Sequence, residues 1–193
     1  MDIDGYPAPL EFKGLRSGDL VLELIEQSDL TRLDDLIDAF DEADYFREEL
    51  HRSYAPVFDK TGMRTKYGFS VLRRGELAGF CLLGVDSWKH RRAHTGADTF
   101  PHMRGRGIAP ASKPLLFYLA FELLKLNRVE TGCATSNLSS RKSIEKTRGF
   151  ELEGVLRGYC LNQKGGYDDE FRYSILREDW LRLYEPSEIE VIA

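Results

Sequence analysis

Two glycines, Gly105 and Gly107, separate a β-patterned segment, residues 92–99, from the longest helical periodicity in the chain, residues 108–126. Within that helix Leu115, Leu116, Leu119, Ala120, Leu123 and Leu124 recur as one broad apolar stripe, which has to be buried against another layer. A strand that turns through glycines into a helix also makes an anion cradle. Glycine lets the backbone curl close to the charge, and the free N–H groups of the first helical turn point at it. The run Arg104-Gly105-Arg106-Gly107-Ile108-Ala109 is therefore a candidate phosphate site. It is neither Gly-x-x-x-x-Gly-Lys-Ser/Thr nor Gly-x-Gly-x-x-Gly, so the signatures of nucleotide hydrolysis and dinucleotide binding are missing.

The remaining pattern alternates strands and helices. Leu20 to Glu26 reads as a strand. Ser28 then caps a helix with Leu30, Leu33, Leu36, Ile37 and Phe40 at helical spacing. A second helix over 43–54 ends before Pro56. Segments 67–73 and 77–85 flank Arg74-Gly75-Glu76 as a hairpin, and 92–99 is the third strand of that meander. A short strand over 129–134 precedes a helix over 138–147 that Gly149 stops. Segments 151–161 and 167–176 form a second hairpin around Lys164-Gly165-Gly166, and Trp180 lies in a last short helix. This order predicts a mixed α/β fold in one domain over 20–184, with an N-terminal arm over 1–19 and an unassigned tail over 185–193. Pro110 suits a first helical turn, but Pro114 deletes the bond to the Pro110 carbonyl, so a kink or a delayed helix start is expected.

Composition narrows the class. With 193 residues, 42% of them hydrophobic, the chain can bury a core without a disulfide or metal. No apolar run approaches a membrane span, and Met1-Asp2-Ile3-Asp4 lacks the basic-then-apolar layout of a signal peptide. Cys81, Cys133 and Cys160 lack Cys-x-x-Cys spacing and fit reduced thiols of a cytoplasmic protein; four scattered histidines offer no metal set. A net charge of −5 argues against a nucleic-acid partner. The charge is nonetheless segregated. Residues 29–49 hold nine acids against Arg32 and Arg47, whereas Arg141, Lys142, Lys146 and Arg148 stand against Glu145 alone. One acidic and one basic, glycine-bearing surface suggest two ligands of opposite sign.

The loop does not stand alone. Arg104-Gly105-Arg106-Gly107-Ile108-Ala109 resembles the Gln/Arg-x-x-Gly-x-Gly/Ala pyrophosphate loop of the GNAT acyl-CoA N-acetyltransferases. Downstream, Asn137-Leu138-Ser139-Ser140, Glu145-Lys146-Thr147-Arg148-Gly149-Phe150 and Glu153-Gly154 resemble the signature of its RimJ/RimL-type branch, which acetylates N-termini of ribosomal proteins. The resemblance runs from about Leu20 to Trp180. It implies a mostly antiparallel central sheet, splayed in the middle and flanked by helices, with acetyl-CoA in the gap and CoA as product. Its pyrophosphate would sit on the N–H groups of Gly105 to Ala109, and its pantetheine would pair with the edge of the 92–99 strand. Asn137 would hold the pantetheine arm; Arg104, Arg106, Lys142 and Lys146 are candidates for the CoA site. Many relatives carry a tyrosine on the following helix as general acid for the departing thiolate. The matching position here is Glu145, which leaves that role vacant.

Acetyl transfer needs a neutral amine. An α-amino group, with pKa about 7.7–8, is nearly ready at neutrality, whereas deprotonating a lysine-like amine costs about 4 kcal/mol at about pH 7.4. Counting back from Arg104, His94 falls where many relatives carry a glutamate, and imidazole accepts protons at working pH. Asp98 shares the strand face of His94 and is the second candidate. Ser140 could relay a proton to sulfur, or simply cap its helix. Backbone N–H groups near Asp98 would polarise the carbonyl. The acidic segment 29–49 would border the acceptor cleft, with Tyr45, Phe46, Tyr54 and Phe58 as pocket or core residues. The expected acceptor is thus a cationic amine: a protein N-terminus, or alternatively a polyamine or aminoglycoside. His90, Arg91 and Arg92 resemble the strand start of polyamine acetyltransferases too. A catalytically inactive acyl-CoA-binding module is the alternative of another class, and CoA release on adding amines would exclude it. A homodimer is left open.

Overall fold

The computed structural model describes residues 10–162 and 164–193. In chain order the elements are β1 (Gly14–Ser17), β2 (Leu20–Leu24), α1 (Leu30–Ile37), α2 (Ala43–Glu49), β3 (Val57–Phe58), β4 (Arg64–Arg73), β5 (Glu76–Ser87) and β6 (Arg92–Thr99). They continue with α3 (Ile108–Tyr118), β7 (Arg128–Ala134), α4 (Leu138–Glu145), β8 (Glu151–Leu161), β9 (Tyr167–Leu176), α5 (Arg177–Leu183) and β10 (Glu190–Ile192). One sheet runs β10-β1-β2-β4-β5-β6-β7-β9-β8, with β3 beside β4. Every neighbouring pair is antiparallel except β6–β7, which is parallel. This is the mixed, mostly antiparallel sheet that the sequence led us to expect.

Several local expectations need correcting. Gly14–Ser17, read as part of an arm, is a strand held between β2 and β10, and residues 190–192 of the unassigned tail supply that β10. Both segments are too short for a periodicity of their own, and their pairing is decided by distant chain. The first nine residues of the expected arm lie outside the described residues. Ser28 is not a helix cap: it sits inside a 3-10 turn, and Asp29 Oδ2 instead accepts the Glu26 N–H at 2.9 Å. Leu36 is 44% exposed, so the buried stripe of α1 is Leu30, Leu33 and Ile37.

Pro114 does not delay α3, which starts at Ile108 directly after Gly107. Losing one hydrogen bond is offset there by burial of Leu115, Leu116, Leu119 and Ala120. The helix continues as a π-turn over Leu119–Leu123, with the Leu124 N–H reaching back five residues to the Leu119 carbonyl. The β4–β5 hairpin turns at Arg74 and Gly75, with φ of +55° and +80°, the left-handed pair that a two-residue hairpin demands.

Two cores lie on opposite faces of the sheet. On one face Phe69, Cys81, Leu83, Ala93, Val129 and Ile175 meet the α3 stripe and Trp180 of α5. On the other, Phe80, Leu82 and Phe100 meet Leu30, Leu33, Ile37, Phe46, Leu50 and Tyr54 of the α1–α2 segment. The strands between the two faces are where the candidate site opens.

Candidate functional site

β6 and β7 part soon after they meet. Their ladder holds only Arg92↔Arg128, Ala93↔Val129 and His94↔Glu130. β6 continues to Thr99 paired with β5 alone, and β7 continues to Ala134 paired with β9 alone. The last link across the fork is a side chain, Thr131 Oγ1 donating to the Thr95 carbonyl at 3.0 Å. Beyond it the half-buried edge of β6 from Gly96 to Thr99 faces β7 without a ladder partner, which leaves its backbone groups open to pairing with another chain or ligand.

The glycine turn stands at the open end of this fork. Gly105 and Gly107 adopt φ of +77° and +74°, a conformation that favours glycine. Ile108 and Ala109 open α3, so their N–H groups have no acceptor within the helix, and Pro110 has no N–H to compete. Arg106, Lys142 and Lys146 are exposed. An exposed turn of free N–H groups at a helix start, carrying the cation Arg106, fits a diphosphate. Arg104 is different. Its guanidinium grips the Glu42 carboxylate at 2.6 and 3.0 Å, which ties the loop to the start of α2 and draws the Glu42 carboxyl below its ordinary range. It acts here as a strap between loop and helix.

His94 lies on the wall of a cleft of ≈ 660 Å³, together with Asp86, Arg92, Thr95, Glu130, Thr131, Gly132, Glu170 and Arg172. Leu156 and Tyr159 of β8 close it from the side. His94 Nδ1 is 2.6 Å from Asp86 Oδ1, so the carboxylate fixes the ring and leaves Nε2 for other partners. The ring lies over Gly84, its ladder partner on β5, and a Cβ there would come within 2.4 Å of His94 Cε1. The two glutamates of the cleft are paired: Glu130 with Arg128 at 2.8 Å, and Glu170 with Arg172 at 2.5 Å.

Asp98 occupies the same strand face four residues on, away from the cleft lining. Tyr54 Oη donates to its Oδ2 at 2.6 Å and Tyr45 Oη to its Oδ1 at 3.2 Å. Burial first, and the Asp98 charge second, push the Tyr54 hydroxyl well above its ordinary range and Tyr45 up to about 12. Asp98 is thus a hub joining β6 to α2 and to the turn that follows it. Tyr54 and Phe46 are buried in the core, while Tyr45 and Phe58 are exposed. Part of the acidity of residues 29–49 is compensated internally, Asp38 and Asp44 by Arg47 and Glu49 by Arg52, while Asp34 is hydrogen-bonded to His51.

Asn137 caps α4: its Oδ1 accepts the Ser140 N–H at 3.0 Å and the Ser139 hydroxyl at 2.9 Å. Ser140 is therefore the recipient of that cap, and its hydroxyl lies beside the Cys133 thiol. Glu145 is exposed and engaged by Arg141 at 2.8 Å and by the Tyr173 hydroxyl at 3.2 Å. Cys81 and Cys133 are buried and Cys160 partly so, all three as free thiols. Among the described residues no three His, Cys, Asp or Glu side chains converge as a metal site, and no helix is long and apolar enough to cross a membrane.

Sequence reasoning missed Asp86, Gly84 and Lys113. Asp86 and Gly84 are ordinary strand residues until the β5–β6 register sets them against His94. Lys113 left a signal, a lone cation within the apolar stretch of α3. It is 4% exposed, and its ammonium donates to Thr95 Oγ1 at 3.2 Å. Burial pulls it down to about 8, against the opposing effects of Cys81 and Asp98.

Residues 14–150 match the family described as Acetyltransferase (GNAT) domain. A relative from Aspergillus fumigatus named FsC-acetyl coenzyme A-N(2)-transacetylase is 30% identical over 133 residues, 65% of this chain; the chain spans 55% of that protein's length. An uncharacterized N-acetyltransferase, YoaA of Bacillus subtilis, is 30% identical over 127 residues, covering 65% of this chain and 70% of that one. Among solved structures, the dodecameric spermidine N-acetyltransferase of Vibrio cholerae superposes with a TM-score of 0.64 at 22% identity, over 86% of this chain and 99% of that one.

Proposed function

Since this chain belongs to the GNAT acetyltransferase family, whose acetyl donor is acetyl-CoA, we propose that it acetylates a primary amine of a small cationic molecule, with His94 as the base. The single observation that carries the reading is the Asp86–His94 pair on the wall of the cleft, at the point where β6 and β7 part. When bound, the donor supplies an acetyl group already activated as a thioester. The chain's own residues supply the rest. The N–H groups of Gly105, Gly107, Ile108 and Ala109 would hold the diphosphate, Arg106, Lys142 and Lys146 the remaining phosphate charge, and the free edge of Gly96 to Thr99 the amide arm. Backbone N–H groups on that edge would polarise the thioester carbonyl. His94 Nε2 takes the proton of the incoming amine, while Asp86 holds the ring and balances the imidazolium charge. Transfer is direct, with donor and acceptor bound together.

The size of the acceptor separates the two readings left open by the sequence. A cleft of ≈ 660 Å³ is within the range of small-molecule sites. The spermidine acetyltransferases among the structural relatives agree with that choice over the protein N-terminus of the RimJ/RimL-type branch. A base that is held and oriented also suits an ordinary aliphatic amine, for which deprotonation costs about 4 kcal/mol near neutrality. The test is thiol release from acetyl-CoA across polyamines, aminoglycosides and peptides with free α-amines, for wild type and His94→Gln. Polyamines should lead, and the variant should lose about 10²–10⁴-fold, with a changed pH profile. Preference for peptide N-termini would overturn the acceptor class, and an unchanged pH profile would remove His94 from the chemistry.

A further inference from the structure

We propose that Lys113, acting through the Thr95 hydroxyl, delivers the proton to the departing CoA sulfur, the role that Glu145 leaves vacant. The inference rests on the donor lying in the fork as described above. Lys113 reaches from α3 to the underside of β6, where its Nζ donates to Thr95 Oγ1 at 3.2 Å; the Thr95 hydroxyl donates in turn to the Leu82 carbonyl at 2.7 Å. Thr95 is the first residue of β6 beyond the ladder with β7, and Thr131 spans the gap to its carbonyl. A chain-like ligand anchored at the start of α3 and running along the free edge from Thr99 to Gly96 is stopped by that Thr95–Thr131 link. The reactive sulfur of such a ligand therefore comes to rest beside Thr95.

A buried ammonium whose hydrogen-bond partner is one neutral hydroxyl is costly to keep. Its position makes sense if negative charge forms next to it during the reaction. The other candidates for this task are engaged elsewhere: Glu145 with Arg141, the Tyr173 hydroxyl with Glu145, and Ser140 beside Cys133. The titratable groups that act on Lys113 are Cys81 of β5, on its own side of the sheet, and Asp98 of β6, whose charge reaches it from the opposite face, where Tyr54 and Tyr45 hold it. Burial pushes the Cys81 thiol up to about 12, so it stays neutral, and it lowers the Lys113 ammonium to about 8, which suits a proton donor near neutrality.

The step balances. As the acceptor nitrogen bonds to the acetyl carbon, the C–S bond breaks and its electron pair stays on sulfur. The Thr95 hydroxyl turns from the Leu82 carbonyl to the sulfur, gives it its proton and takes one from Lys113 Nζ, while His94 holds the proton lost by the amine. His94 then releases that proton to solvent and Lys113 regains one, leaving an amide and free CoA thiol.

The test compares binding of CoA and of desulfo-CoA, which lacks the sulfur, by calorimetry between about pH 7 and about pH 9. It uses wild type, Lys113→Met and Thr95→Val. Methionine matches the length of the lysine stem without its charge, and valine matches the shape of threonine. Wild type should favour CoA over desulfo-CoA most where the thiol begins to ionise while Lys113 is still protonated, near pH 8, and both variants should lose that preference while keeping their affinity for desulfo-CoA. Turnover should fall about 10²-fold in each, and the alkaline fall of kcat near 8 should vanish in Lys113→Met. Undiminished sulfur preference and wild-type kcat in Lys113→Met would overturn the proposal; should that variant not fold, the same result in Thr95→Val does so. Wild type that binds neither ligand overturns the donor site itself, and this inference with it.

Discussion

Gly84→Ala is a one-atom test of whether the position of the His94 ring matters. Gly84 stands opposite His94 in the β5–β6 ladder, and an added Cβ would sit 2.4 Å from Cε1, 2.7 Å from Nε2 and 3.2 Å from Nδ1. Carbon atoms rest at about 3.5–4.0 Å, so the ring has to retreat by about 1 Å. The 2.6 Å contact to Asp86 does not survive that displacement. A misplacement of about 1 Å in a catalytic group costs about 10²-fold in rate, or about 2.7 kcal/mol of barrier. The fold is not strained by the change. The backbone of Gly84 is not left-handed, and the obstructing atoms are the movable end of a side chain. Alanine in a strand is, if anything, more stable than glycine by about 0.5–1 kcal/mol. Steady-state thiol release with a fixed amine, run beside thermal melting, should therefore show kcat falling about 10²-fold with the melting temperature held or raised. In a His94→Gln background the alanine should add little, because the ring it displaces is gone. Wild-type turnover in Gly84→Ala, or an equal further loss in the double variant, would refute the role given to the Asp86–His94 pair.

Two further predictions concern the scaffold. Tyr54→Phe removes the 2.6 Å bond to Asp98 from a buried tyrosine, and denaturant unfolding should show a loss of about 1.5–3 kcal/mol, the usual worth of a hydrogen bond to a charged group. Glu153 accepts from Arg128 and from the Ser174 hydroxyl, tying β8 to β7 and β9, and the Arg128 contact foremost pulls its carboxyl down to about 2. A carboxylate lowered by folding stabilises the native state above its ordinary pKa and loses that effect as pH falls through the folded value. Melting temperatures of wild type and Glu153→Gln should accordingly differ near neutrality and converge between about pH 4.3 and pH 2; a gap that stays constant over that range would contradict the assignment.

Local periodicity carried most of the elements. Strand β6, the β8–β9 hairpin and the helix after Gly107 follow from alternation, from the glycine turns and from the apolar stripe, all of which act over a few residues, although Pro114 did not delay that helix as expected. The glycine turn proposed to hold the phosphates was legible for the same reason, because its glycines and the first N–H groups of α3 are neighbours in sequence. Less was legible in the candidate catalytic residues. His94 and Asp98 could be placed on one strand face by parity, yet only the fold puts one in the cleft and ties the other to Tyr54 and Tyr45.

The amino-acid sequence alone determined which segments are strands and helices, the glycine turn that opens α3, and the resemblance that suggested the donor. Only the tertiary structure decided that β1 and β10 join the sheet, that Arg104 grips Glu42, that Asp86 holds His94 over a bare Gly84, and that Lys113 is buried under Thr95. The physical reason is range. Backbone propensity and hydrophobic alternation are summed over adjacent residues, whereas these contacts depend on strand register and on which face of the sheet each helix covers.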